Sequence, residues 1–267
     1  MKELAFAPTS MAVDYGYLAV GGQRSQLVVS SLSSEWSAHT NVGGSINNAL
    51  AISNLTEPRI LVCNNDESIK IVSLPTLEKT GSISLPTAAN YVAVSPDQQK
   101  MVAVGDSNQA FLYDIRQNYA KIASLQTVND AGFACSWNPA SQHFAISCQD
   151  GHVCVFDTRN TSCKLAILNS QQNPQIKGAC RNVKFSQTNS LDLLMYSEHV
   201  NYVTVVDTRD YSTQQAIRVT PPNTDLHISG ISFDSECSSV FVGLEASLIE
   251  YKIDLKTRRI FPIGSIL

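Results

Sequence analysis

Short apolar runs of five or six residues, each closed by turn formers, succeed one another along the 267-residue chain. None carries an apolar stripe of helical period longer than about ten residues with caps at its ends, so no helix is expected. Residues 131–168 show the pattern most clearly. Residues 133–137 end at Asn138-Pro139, 143–148 end at the turn 149–152, 153–157 end at 158–162, and a fourth run covers 164–168. Four short strands separated by turns predict one antiparallel meander.

The same grammar recurs elsewhere in the chain. The first strand and its turn reappear at 92–97, 183–186 and 231–234, and residues 4–8 supply the first strand of the first copy. The third strand reappears at 111–116, 205–209 and 251–256, with aspartates 114, 157, 207 and 254 at intervals of 43, 50 and 47 residues. Upstream, Ser73 and Ser31 stand near the aspartate position in degenerate copies. Six units cover the chain, at approximately 1–42, 43–86, 87–128, 129–173, 174–226 and 227–267. A four-stranded unit of this size cannot bury both faces alone, and radial stacking of such units makes a β-propeller. The expected fold is therefore all-β, one propeller domain over 1–267 with six visible blades. Runs such as 61–63 and 102–104 suit inner strands pressed between blades. The last unit owns a fourth strand at 259–263. Two arrangements fit the count: a six-bladed ring, or a seven-bladed ring lacking one N-terminal blade.

Composition narrows the function classes. Lys and Arg number 19 against 23 Asp and Glu, a net charge of −4, which argues against duplex nucleic acid as the main partner. Seven cysteines fall mostly inside apolar runs without a Cys-x-x-Cys pair, and read as small buried hydrophobes in a reducing compartment. Residues 1–4 lead straight into small and polar positions with no signal-peptide core, and no run approaches membrane-spanning length. The expected location is cytoplasm, nucleus or both.

The Phe/Trp-(Ser/Asn)-Pro corner, the Asp150-Gly151 turn and third strands ending in aromatic-Asp resemble WD-repeat proteins over nearly the whole chain. The departures are specific. No copy holds a literal Trp-Asp; Phe156-Asp157 and Tyr113-Asp114 come nearest. The Gly-His pair that precedes the first strand in that family is missing, and Gly151-His152 falls in the second turn instead. The hydrogen-bonded network of that His and the turn Asp is therefore expected to be incomplete. Residues 191–200, running on to 205–209, resemble the Asp-Leu-Leu segment of fungal WD-repeat proteins of unassigned function, which implies no activity.

Candidate chemistry is sparse. The five histidines (39, 143, 152, 199 and 227) show no metal-ligand spacing, and no phosphate-binding glycine loop occurs. His143, Cys148, His152 and Cys154 are close in sequence, but strand packing explains them. No enzyme activity, cofactor or metal is expected. Two surface constellations carry more. Asp114/Arg116, Asp157/Arg159 and Asp207/Arg209, with a weaker Asp254/Lys256, repeat Asp-x-(Arg/Lys) at the end of the third strand. Each is expected to form a local ion pair, because residues two apart on a strand point to one side. Tyr113–Arg116 and Phe156–Arg159 also resemble the aromatic-Asp-x-Arg box of WD-repeat substrate receptors, which implies docking on the adaptor of a cullin-RING ubiquitin ligase through the arginine. On the opposite face, turns between second and third strands hold Asp66, Glu67, Asp106, Asp150, Glu198 and Glu245, with Arg24 breaking the series in unit one. These predict an acidic rim suited to a basic segment of a partner. The expected function is a non-catalytic interaction scaffold, with proteins or peptides as partners and neither duplex nucleic acid nor membrane.

Overall fold

The computed structural model describes residues 4–172, 177–188 and 191–254, which fall into two compact units, Met1–Gln126 and Thr127–Leu267. In the first unit, blade 1 holds β1 (Pro8–Asp14), β2 (Tyr17–Gly22), β3 (Gln26–Ser31) and β4 (Ser37–Asn41). Blade 2 holds β5 (Asn47–Ser53), β6 (Arg59–Asn64), β7 (Ser68–Ser73) and β8 (Lys79–Ser84). Blade 3 holds β9 (Ala89–Val94), β10 (Lys100–Gly105), β11 (Gln109–Asp114) and β12 (Ala120–Gln126). In the second unit, blade 4 holds β13 (Gly132–Trp137), β14 (His143–Cys148), β15 (His152–Asp157) and β16 (Ala166–Asn169). Blade 5 holds β17 (Cys180–Phe185), β18 (Leu193–Glu198), β19 (Tyr202–Asp207) and β20 (Gln214–Arg218). Blade 6 holds β21 (Ile228–Phe233), β22 (Ser239–Leu244) and β23 (Leu248–Lys252).

Every blade is an antiparallel meander in chain order, and the fold is the all-β, six-bladed β-propeller class. The fourth strand expected at 259–263, and Lys256, lie outside the described residues. Among the described residues the only helical turn is a three-residue 3-10 turn at Gln23–Ser25, and no helix is long and apolar enough to cross a membrane.

Strand alternation explains how blades stack. Along β6, Ile60 and Val62 point one way into a cluster with Ala19, Leu27 and Val29 of blade 1. Leu61 and Cys63 point the other way, toward Val92, Met101 and Phe111 of blade 3. A strand buried on both faces is apolar on both sides of its alternation, which is why the centres of the second strands read as hydrophobic runs such as 60–63 and 101–104. Each such Leu, Ile or Val contributes about 1.5–3 kcal/mol when fully buried. Within blade 4, Phe144 stacks on Phe156 at 5.5 Å and tilts against Trp137 at 4.9 Å. Between blades 5 and 6, Met195 and Val203 meet Ile231, Val240 and Val242. Six cysteines are buried, in keeping with their apolar settings, while Cys163 is exposed; none of the seven forms a disulfide.

The corner after the first strand is a repeated device. Asn138 Oδ1 accepts the backbone N–H groups of Gln142 and His143, both at 2.9 Å. Ser95 Oγ accepts from Lys100 N at 2.9 Å, and Asp234 Oδ1 from Ser239 N at 2.9 Å. Small polar residues at this corner thus hold the turn through their own side chains. The fourth strand of blade 4 begins at Ala166, two residues after the apolar run that starts at Lys164. Asn160 Oδ1 accepts from Ser162 N at 3.4 Å and Ser162 Oγ at 2.6 Å, which prolongs the preceding turn.

Candidate functional site

In each of three successive blades the third strand ends on an aspartate whose carboxylate is built into the turn that follows. Asp114 Oδ1 accepts from Arg116 N at 2.9 Å and Nε at 3.1 Å, while Oδ2 takes Nη2 at 2.9 Å. Asp157 does the same, with Arg159 N at 2.8 Å, Nε at 3.0 Å and Nη2 at 2.6 Å. Asp207 accepts from Arg209 N and Nε, both at 2.9 Å, and pairs with its Nη2. The expected ion pairs are present, but strand alternation is not their cause. The aspartate caps the turn through the arginine's own N–H, and the guanidinium folds back to complete a two-pronged clamp.

Asp114 and Asp207 are buried, whereas the arginine side chains keep 51 %, 68 % and 38 % of their surface at positions 116, 159 and 209. Hydrogen bonding from Arg116 holds the Asp114 carboxyl below its usual range, and Arg159 does so more strongly for Asp157.

In the second unit a relay joins two of these turns. His143 lies opposite Asp157 in the β14–β15 ladder, with Nε2 3.6 Å from its Oδ2, and His143 Nδ1 is 3.2 Å from the Tyr211 hydroxyl. Tyr211 belongs to the turn that carries Arg209. Burial pushes the His143 pKa down against the pull of Asp157, and burial pushes that of Tyr211 up. The sequence showed His143 as a strand residue and gave Tyr211 no role; only the packing of blade 5 on blade 4 brings them together.

The turn acids sit where the spacing put them, but most already have partners. Asp66 Oδ2 takes the Nζ of the buried Lys70 at 2.5 Å, and Asp106 Oδ1 accepts from Asn90 Nδ2 at 2.8 Å. Asp150 Oδ2 accepts from Asn129 N at 2.9 Å, and its Oδ1 is 3.0 Å from His152 Nδ1. Glu67 and Glu245 are exposed. Glu198 departs from the rim expectation. It is 0 % exposed, its Oε1 accepts from Gln171 N at 2.6 Å, and burial raises its pKa. The connection leaving β16 folds over it, so it presents no charge to solvent.

A further set of positions escaped the sequence reading. The second residue of every first strand is a β-bulge: Thr9, Asn48, Asn90, Phe133, Arg181 and Ser229. Bulges re-aim the side chain they carry. Here several reach the next blade of their own unit, where first strand lies beside first strand. Thr9 Oγ1 donates to Asn47 O at 2.7 Å, Asn48 Nδ2 to Ala89 O at 2.9 Å, and Phe133 receives the Arg181 guanidinium on its ring. Opposite the blade 3 bulge only glycine fits, since a Cβ on Gly105 would lie 2.2 Å from Ala88 O.

Among the described residues no group of three or more His, Cys, Asp or Glu is placed to hold a metal ion.

Comparison with known proteins bears on the fold and its relatives. Residues 178–218, which span blade 5 and the Asp-Leu-Leu run, match the model described as "Uncharacterised protein domain (DUF2415)". A Schizosaccharomyces pombe protein, "Uncharacterized protein C4G3.03", is 29 % identical over 279 residues, covering 99 % of this chain and 79 % of its own length. The Saccharomyces cerevisiae "Uncharacterized protein YLR149C" is 27 % identical over 59 % of this chain and 27 % of its own length. "Protein TEX1" of the same yeast is 23 % identical over 43 % of this chain and 28 % of its own length. Among solved structures, Kuenenia stuttgartiensis Hydrazine Synthase superposes with a TM-score of 0.76 at 13 % identity, covering 89 % of this chain and 73 % of that one. At that identity the likeness is one of fold alone. The chain is thus a six-bladed propeller related to several fungal proteins.

Proposed function

We propose that this chain is a non-catalytic protein-interaction platform that docks partners through its third-strand turns. The observation that carries this reading is the repeated clamp. Three arginines are held by their own aspartates in one geometry, yet each leaves a large part of its side chain in solvent. A long cationic side chain normally loses conformational freedom when a partner captures it. A clamped one has already lost much of that freedom, so a contact with it costs less entropy.

The clamp also neutralises each arginine, so each turn selects hydrogen-bond acceptors rather than net negative charge. Loops on a rigid sheet scaffold are suited to such a role. The narrower WD-repeat resemblance of the Tyr113–Arg116 and Phe156–Arg159 boxes supports a second reading, a substrate receptor that docks on the adaptor of a cullin-RING ubiquitin ligase. A propeller enzyme is a third, since propellers host catalysis and fold does not decide activity; among the described residues no cluster that could hold a metal ion supports it.

The test is affinity purification of the tagged protein from its native host, wild type beside an Arg116→Ala/Arg159→Ala double variant. The platform reading expects a stoichiometric partner that the double variant loses. The receptor reading further expects that partner to be the ligase adaptor. A monomeric wild type that brings down nothing in stoichiometric amount would sink both.

A further inference from the structure

The arginines of the third-strand turns are each committed to an aspartate. Arg181 is the opposite case. It occupies the blade 5 bulge between the pairs Cys180↔Glu198 and Asn182↔Ser197. Its guanidinium carbon lies 3.8 Å from the centroid of the Phe133 ring on the neighbouring blade. Its Nε is buried without an acceptor, and burial alone lowers its pKa, with no carboxylate acting against it. A half-buried guanidinium with an orphaned N–H is a costly arrangement to maintain without a ligand.

Two imidazoles belong to the same end of the blade 5 sheet. His199 follows Glu198, the residue paired with Cys180, so it lies one step beyond the strand end where Arg181 projects. The charge of Arg181 is felt at His199. Its ring is 4.5 Å from that of His227, and backbone contacts lock the two histidines together: Ile228 N donates to His199 O at 3.1 Å, and Val200 bridges His227. Two acids lie near this end. Glu198 is buried with Oε1 on Gln171 N and Oε2 without a partner, and Glu245 accepts from His227 N at 3.3 Å and lies 3.9 Å from its Nε2.

We propose that Arg181, His199 and His227 form a binding site for an oxyanion, a phosphate or carboxylate group carried by a peptide partner. A planar guanidinium already oriented by stacking on Phe133 matches the fork of an oxyanion, and imidazole N–H groups supply further donors. A divalent cation would meet the positive charge of Arg181 and finds no third ligand among the described residues. The proposal rests on the interaction-platform reading and names the ligand chemistry of a second surface, away from the Asp-x-Arg turns.

The test is calorimetric titration of the full chain with inorganic phosphate, with acetate, with a doubly capped phosphoserine pentapeptide and with its unmodified counterpart. Saturable binding of phosphate or acetate is expected in wild type. Arg181→Gln should weaken it at least about tenfold, whereas Lys121→Gln, which removes an exposed cation set over Phe111 in the first unit, should leave it unchanged. His227→Gln, at an exposed position, should weaken binding a few-fold and gives a second readout if Arg181→Gln fails to fold. Tighter binding of the phosphopeptide than of free phosphate supports a peptide-borne group, and equal affinity overturns that part. Absence of saturable anion binding, or equal loss in Lys121→Gln, overturns the site itself. Partner capture through Arg116 and Arg159 is read separately, so failure of the anion site and failure of the platform reading are distinguishable.

Discussion

Asn64, at the end of β6, is the polar hub that joins blades 1 and 2, and replacing it tests how these blades are held. It is 0 % exposed. Its Oδ1 accepts from Ser45 N and Asp66 N, both at 3.0 Å, and its Nδ2 donates to Asn47 Oδ1 at 3.0 Å and Ser25 Oγ at 3.2 Å. Asn47 and Ser25 are themselves buried and bonded onward, to Gln26 O at 2.8 Å and Ser45 O at 2.9 Å. Asn64→Leu keeps the branched shape but strands two backbone donors and takes the amide donor from two side-chain acceptors, Asn47 Oδ1 and Ser25 Oγ. Each orphaned buried group costs about 1–3 kcal/mol, so after partial relaxation the unit should lose about 3–6 kcal/mol. Asn64→Asp separates the roles of the two amide atoms. One carboxylate oxygen still accepts the backbone N–H groups, but the other faces Asn47 Oδ1 as a second acceptor.

Burial raises the folded-state pKa of that new carboxyl above its unfolded value, so its destabilisation is expected above the unfolded pKa and relieved as pH falls. The protonated acid regains an O–H to donate toward Asn47 Oδ1. Urea titration at neutral and mildly acidic pH measures both effects, with hydrogen exchange reporting whether protection is lost in β5–β7. An Asn64→Leu protein within about 1 kcal/mol of wild type would refute the hub argument, as would an Asn64→Asp protein whose deficit does not shrink on acidification.

Other expectations follow from the same contacts. Gly44 has φ +93°, and a Cβ there would lie 2.2 Å from Asp66 Oδ2, whereas Gly43 has φ +79° with open space around it. Gly44→Ala should therefore cost about 2–3 kcal/mol against about 1 kcal/mol for Gly43→Ala, as measured by thermal or urea unfolding. Arg159 lowers the His143 pKa through its charge, so Arg159→Gln should raise it in an NMR titration of the imidazole; no change would mean that the relay is not electrostatically coupled. The same variant should raise the Asp157 pKa from its depressed value. Stability drawn from Asp157 is present above the unfolded carboxyl pKa of about 3.9 and lost as pH falls through the folded one. Acid unfolding of Arg159→Gln, followed by circular dichroism, should add less of this loss below that pH than wild type shows.

The architecture was readable in one dimension because its causes repeat. Second strands buried on both faces are apolar over most of their length, so 61–63 and 102–104 announced themselves, and β14 falls on the same six residues as the apolar run at 143–148. The turn acids and the Asp-x-Arg pairs were equally visible, because residue type and spacing alone place them at strand ends. Their meaning was less visible. That Asp114, Asp157 and Asp207 bind the arginine backbone as well as its side chain depends on turn geometry, not on the alternation that suggested the pairing.

Three features belonged to the folded molecule alone. Glu198 reads as a surface residue, since a glutamate beside a turn is ordinarily solvated; the chain leaving β16 buries it. The bulges at Thr9, Asn48, Asn90, Phe133, Arg181 and Ser229 insert one residue without breaking the apolar pattern, and only the register of the facing strand reveals them. Arg181 of blade 5 stacks on Phe133 of blade 4, a residue far from it along the chain. Periodicity in a chain records which way each side chain points relative to its own strand, and that was enough to count and order the blades. Which side chains meet across blades is set by stacking, a relation between distant segments, and for that reason the clamps could be located from the residues while the stacking of Arg181 on Phe133 could not.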